Sequence, residues 1–183
     1  MSGLIQPFRG VMPTIARDAF VAATAPVIGH VTIGSKATIW FNCVLRGDVG
    51  TIEIGENTNI QDGSIIHVTE HQFDTKIGAN VVVGHRVILH GCTVEDWSFI
   101  AMDAVLLDGS YVESGGMVAA GALLTPGKRV KAGEIWAGRP AKFWREVKPE
   151  ERATWAPLVQ HYVDLGQEYL REAAPGPEQR KRA

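Results

Sequence analysis

From Val27 onward an aliphatic residue returns every six positions, at Val27, Ile33, Ile39 and Leu45. The beat resumes at Ile54, Ile60 and Ile66, then at Ile77, Val83, Leu89, Glu95, Ala101, Leu107, Glu113 and Ala119. Another small or apolar residue often stands four places later, as at Val31, Ala37, Cys43, Val81 and Val87. A period of six is neither the 3.6 of a helix nor the plain alternation of a strand. It fits a chain that makes a short strand, a turn and another short strand, three times per coil. A β-sandwich has no cause to hold one phase through so many steps. The pattern predicts an all-β solenoid, a parallel β-helix of hexapeptide repeats, and the 20 glycines suit its many tight corners.

The phase breaks twice. Nine residues separate Leu45 from Ile54, an excess of three around 48–51, and eleven separate Ile66 from Ile77, an excess of five within 68–76. Excess residues in a solenoid leave as loops on one face. The chain reads as a single domain, 1–183, with the β-helix over about 11–140. Pro149-Glu-Glu-Arg opens a C-terminal α-helix over about 149–172. Its Trp155, Leu158, Val159, Tyr162, Leu165, Tyr169 and Leu170 form an apolar stripe that must cover the solenoid's flank or a neighbouring subunit. Residues 173–183 carry nothing apolar to hold them and are expected to form a flexible tail.

Charge narrows the function. Eighteen basic side chains face 20 acidic ones, for a net charge of −2, so the chain lacks the basic footprint of a nucleic-acid binder. No apolar run approaches the ~20 residues that span a bilayer, and a membrane partner is not expected. Two cysteines, Cys43 and Cys92, are too few for a disulfide scaffold, and a reduced, cytoplasmic setting is the expectation.

The phase also sorts the histidines. If the two loops consume no turn, Leu45, Ile66, Leu89 and Leu107 occupy the same turn of successive coils. The next residues, Arg46, His67, His90 and Asp108, then form one outward column. Coils stack about 4.7–4.9 Å apart, so the imidazoles of His67 and His90 can reach one metal ion. His85 belongs to another column, with Asp62 and Asp103, and projects from a different corner. It can meet the pair only across a subunit boundary, as in a trimer. Asp62 and Asp103 would then fix the tautomer of His85. His30, His71 and His161 gain no support from the phase, and His30 reads as a turn residue.

Three stretches carry a resemblance. They are Ile39–Asp48 (IWFNCVLRGD), Asn59-Ile-Gln-Asp62 with Ile66-His67, and Val83-Gly-His85 with Leu89-His-Gly-Cys92. In this order and spacing they resemble the γ-class carbonic anhydrases and their bacterial homologues. The resemblance implies a homotrimer of left-handed β-helices with Zn2+ at the subunit interfaces, Fe2+ or Co2+ being further options. It makes His67 and His90 ligands from one chain and His85 a ligand from the next. It makes Arg46 and Asp48 a trimer-interface ion pair, and Asn59 and Gln61 the polar pair that positions water or substrate oxygen. Tyr162 matches a tyrosine that the C-terminal helix places near the pocket. The implied reaction interconverts CO2 and bicarbonate. The family prototype's acidic loop is short here, leaving Glu70 and His71 as the groups to relay a proton. Two other functions stay open: a hexapeptide-repeat acyltransferase or thioesterase acting on CoA thioesters, and a catalytically silent metal-binding member. For the CoA reading the phosphate contacts would be Lys128, Arg129 and Lys131.

Overall fold

Three columns of aliphatic side chains run the length of the molecule and are almost wholly excluded from water. One holds Val27, Leu45, Ile66, Leu89, Leu106 and Leu124, the next Ile33, Ile54, Ile77, Val94, Val112 and Val130, and the third Val21, Ile39, Ile60, Val83, Ile100 and Val118. Each column is the inner row of one face of a triangular prism, here called faces A, B and C in that order. The structure, a computed structural model, describes residues 4–173 and is a parallel β-solenoid closed by a C-terminal helix. The expected tail falls almost wholly outside the described residues. Burying one such side chain contributes about 1.5–3 kcal/mol, so the three rows supply the main drive to coil.

Strands of successive coils pair in parallel, for example Ile66 with Leu89 on face A and Ile60 with Val83 on face C. The last pairing differs. Glu134–Ala137 and Lys142–Glu146 form an antiparallel hairpin that ends the ladder. Faces A and B merge into one sheet because the long strands Val27–Ile33 and Val44–Ile54 run through the corner between them. The first phase break lies in the second of these strands. Gly47 pairs with Gly29 and Ile52 with Val31, so residues 48–51 bulge outward as the spacing implies.

The phase breaks a third time, and the expected register needs correction there. Leu89 and Val94 are five residues apart, and Leu89 lies opposite Leu106 rather than Leu107. The inward row continues through Val94, Ile100, Leu106, Val112 and Val118, so Glu95, Leu107, Glu113 and Ala119 lie off it. Gly91 allows the shortcut. Its φ is +59°, and a Cβ there would lie 2.4 Å from Asp108 Oδ1 and 2.7 Å from Phe73 Cβ.

The helix begins with the single turn Pro149–Arg152 and continues as Trp155–Ala173. Its buried residues, Trp155, Val159, Val163 and Gly166, face the chain's own solenoid, over the face C strands Phe20–Val21, Thr38–Ile39 and Asn59–Ile60. Gly166 permits the approach, since a Cβ there would lie 2.5 Å from Thr38 Cγ2. Phe20, Trp40, Tyr162 and Tyr169 interlock with ring centroids 5.1–5.8 Å apart. Arg145 grips Glu151 at the helix start with two hydrogen bonds of 2.6 and 2.7 Å, and the Lys148 amide donates a third to Glu151. These bonds hold the Glu151 carboxyl down at about 2. No helix of the described residues is long and apolar enough to cross a membrane.

Two outcomes follow. A Cβ on Gly55 would lie 2.4 Å from the Gly78 carbonyl carbon, so Gly55→Ala should force two coils apart. The expected cost is about 1–3 kcal/mol, read as a fall in Tm of roughly 2–4 °C per kcal/mol. Acid should loosen the helix start. A depressed carboxyl stabilises above its unfolded value, here 4.5, and that contribution is lost as pH falls through about 2. Hydrogen exchange of the helix amides across this window should show a step that Glu151→Gln abolishes.

Candidate metal centre

Ile66-His67 and Leu89-His90 end neighbouring face A strands, and His67 pairs with His90 directly in the ladder. Because Ile66 and Leu89 point inward, the two imidazoles point out on the same side. Their ring centroids are 5.1 Å apart, and His67 Nδ1 lies 3.1 Å from His90 Nε2. Each ring is backed by a carboxylate. His90 Nδ1 is 2.7 Å from Asp108 Oδ1, and His67 Nε2 is 3.1 Å from Asp48 Oδ1. Arg46 donates to the other Asp48 oxygen at 2.6 Å, and the Thr69 hydroxyl donates to the other Asp108 oxygen at 2.8 Å. An unbroken chain of hydrogen bonds thus runs Arg46–Asp48–His67–His90–Asp108–Thr69.

Both carboxylates are held ionised. Burial raises Asp48, but its bonds with Arg46 and His67 outweigh this and keep it below the usual range. Burial likewise raises Asp108, and hydrogen bonds from His90 and Thr69 reverse the effect. The bond to Asp108 places the His90 proton on Nδ1 and leaves an Nε2 lone pair facing its neighbour. An imidazole fixed in this way by a carboxylate is the form that ligates a divalent cation.

His85 stands at the corner where face C turns into face A, and its Nδ1 is 3.0 Å from Asp62 Oδ2. It has the same carboxylate backing as His90 but does not join the pair. Among the described residues no three His, Cys, Asp or Glu side chains converge on one point. The chain thus presents two imidazoles together on face A and one apart at the next corner. Neutral imidazoles of this kind are donors that suit a divalent metal ion.

Asp103 does not back His85. With Val83 opposite Ile100, Asp103 falls one place beyond the expected register, and it pairs with Arg86 at 2.6 Å. Arg46 and Asp48 pair with each other inside one chain. Asn59 and Gln61 flank the inward Ile60, so both point outward from face C. Asn59 is fully buried, and neither of its amide atoms finds a hydrogen-bond partner. Tyr162 packs edge-on against Trp40; burial raises its hydroxyl, and the charge of Asp62 raises it further. Glu70 and His71 lie 3.7 Å apart in an exposed loop, His71 being 90% exposed, and the loop meets the centre through the Thr69 hydroxyl on Asp108 and the Thr75 hydroxyl on the His67 carbonyl.

Sequence reasoning set Asp108 in the histidine column without giving it a task. It missed Thr69, whose contact with Asp108 spans 39 residues and has no sequence signal. The cysteines take no part. Burial pushes both thiols up to about 12, so they stay protonated.

No family model matches the chain. Gamma carbonic anhydrase 1, mitochondrial, of Arabidopsis thaliana is 48% identical over 88% of this chain and 61% of its own length. The chain spans only 61–65% of the three Arabidopsis relatives it matches. The carbonic anhydrase of Geobacillus kaustophilus is 43% identical, with 91% of each chain covered. The crystal structure of a hexapeptide transferase family protein from Anaplasma phagocytophilum superposes with a TM-score of 0.88 at 46% identity, covering 92% of this chain and 99% of that one. With 43% identity to the Geobacillus carbonic anhydrase over 91% of each chain, and with the Arabidopsis relatives named as gamma carbonic anhydrases, this chain belongs to the γ-class carbonic anhydrase family.

Proposed function

We propose that the protein interconverts CO2 and bicarbonate at a divalent metal, zinc in the first instance, shared between neighbouring subunits of a homotrimer. The observation that carries this is the facing pair His67 and His90, 3.1 Å apart, with Asp108 and Asp48 behind them. When bound, the metal supplies Lewis-acid activation of water near neutral pH. The chain's residues set up the rest. Asp108 and Asp62 hold Nδ1 of His90 and His85, which turns the Nε2 lone pairs toward the shared position. Gln61, one place before Asp62, presents an amide to orient a substrate oxygen, and the unpartnered amide of Asn59, buried on the far side of Ile60, stands behind it. Tyr162, held by Trp40, closes that side.

The outer surface of face A supports the trimer. Val44, Ile65, Ile88, Val105 and Leu123 lie opposite one another in the ladder and form an outward apolar stripe beside the histidine column. Ile65 and Ile88 are 45% and 38% exposed in the single chain. An aligned apolar row of this kind suits an interface between copies. Packing it against the His85 corner of a second chain would complete the ligand set, with Arg46 and Asp48 at the boundary. A cytoplasmic setting belongs to the same proposal and suits the two unpaired thiols.

Chemistry on CoA thioesters is the second reading. It draws on a cleft of about 460 Å3 lined by Lys128, Trp136, Lys142 and Phe143. The cleft borders the coil of Leu123–Leu124, two coils beyond His90 and so about 10 Å along the axis. Arg129, expected as a phosphate contact, is instead stacked on Tyr111 at 3.9 Å and paired with Glu113.

Stopped-flow CO2 hydration on protein loaded with one zinc per chain should exceed the buffer rate, and His90→Ala should abolish the excess. Full zinc without turnover would transfer the assignment to thioesters or to a silent member. Asp108→Asn should weaken metal binding by about 10–100-fold in competition with a chelator, with the fold intact. Sizing should give three times the chain mass of 19.9 kDa, and His85→Ala should lose metal as fully as His67→Ala.

A further inference from the structure

Hydrating one CO2 to bicarbonate releases one proton, which must reach bulk buffer before the next turnover. His71 borders a cavity of about 270 Å3 with Val49, Gly50, Gln72, Phe73 and Asp74, and none of these residues hydrogen-bonds the histidine pair. A second cavity, of about 160 Å3, does reach the centre. It is lined by Phe8, Arg9, Val11, His30 and Asp48, and Asp48 is the carboxylate that touches His67. It has room for roughly five waters at ~30 Å3 each.

His30 stands in the wall between this cavity and an open groove of about 600 Å3 on face B, and it is the residue common to both linings. Two contacts hold it there. Its Nδ1 lies 3.4 Å from the Thr51 hydroxyl, and its carbonyl oxygen abuts Gly47, where a Cβ would lie 2.6 Å away. Arg9 and Asp48 face it from the cavity, and Glu53 and Asp96 from the groove. Of these, Asp48 is paired with Arg46 and Glu53 with Lys76. An imidazole, with an ordinary pKa near 6.5, is the side chain suited to take up and release a proton at neutral pH.

We propose that His30 carries the released proton from the centre to solvent, a role that rests on the carbonic anhydrase reading above. A proton set free beside Asp48 passes along water in the small cavity to a ring nitrogen of neutral His30. The resulting imidazolium gives it to a buffer base in the face B groove and returns to the neutral ring. Asp48 stays ionised throughout, held by Arg46. The excess at 48–51 then has a reason: the bulge both turns Asp48 onto His67 and frames the cavity that leads to His30.

The test compares CO2 hydration by the zinc-loaded wild type, His30→Ala, His30→Gln and His71→Ala in dilute and in concentrated imidazole buffer. Both His30 variants should lose on the order of tenfold to a hundredfold in kcat in dilute buffer, keep kcat/KM and zinc content, and recover in concentrated imidazole. NMR titration of the His30 ring, read without substrate, should give a midpoint that coincides with that of the dilute-buffer kcat profile. A loss confined to His71→Ala, a buffer-insensitive His30→Ala or mismatched midpoints would overturn the proton route and leave the activity standing. A zinc-loaded wild type that hydrates no CO2 would overturn both.

Discussion

The in-register stacking of inward aliphatic side chains is the constraint on which everything else in this protein rests. Each coil is held by ladder hydrogen bonds to the coils beside it and by three apolar rows that no water reaches. Since strand side chains alternate, fixing Ile66 and Leu89 inside fixes His67 and His90 outside, one above the other. A register error of one residue would send the histidines to different heights or faces. The imidazole pair is thus a by-product of core packing, and its precision is the precision of the ladder.

On that frame the polar side chains do complementary work. Burying Asp48 and Asp108 would by itself favour their neutral forms, yet Arg46 and Thr69 secure them as carboxylates. The ionised oxygens in turn orient the imidazoles. The same device, one carboxylate on one ring nitrogen, recurs at His85 with Asp62. Three rings are therefore prepared alike, although one chain cannot bring them together. This shared preparation is what the proposed metal site between subunits draws on.

The C-terminal helix gives a different lesson. It covers face C of its own solenoid, with Gly166 set against Thr38 and two tyrosines wedged against Trp40. Beneath it the Thr38 hydroxyl, the Trp40 indole nitrogen and the Asn59 amide find no hydrogen-bond partners. Unmet polar groups under a packed helix cost stability. The aromatic cluster holds Tyr162 against Trp40, and the Arg145–Glu151 clamp fixes the start of the helix.

The repeat, its two long interruptions and the stacking of His67 on His90 were legible in the sequence, because a six-residue period translates directly into faces and heights. The third break was not. Removal of one residue at Gly91 leaves small or apolar residues in both candidate rows, so the pattern reads through it; Glu95 and Glu113, charges standing where the core should be, were the visible sign. That slip put Asp103 opposite the wrong neighbour and hid the task of Asp108. Contacts that depend on loop conformation, such as Thr69 with Asp108, or on which cavity a side chain borders, as with His30, had no periodic signature. The sequence by itself determined the coil, its faces and the residue types offered on each, since these follow from local spacing and hydrophobicity. Tertiary structure alone decided which carboxylate meets which imidazole and where the helix lies, since those outcomes depend on distances between residues far apart in the chain.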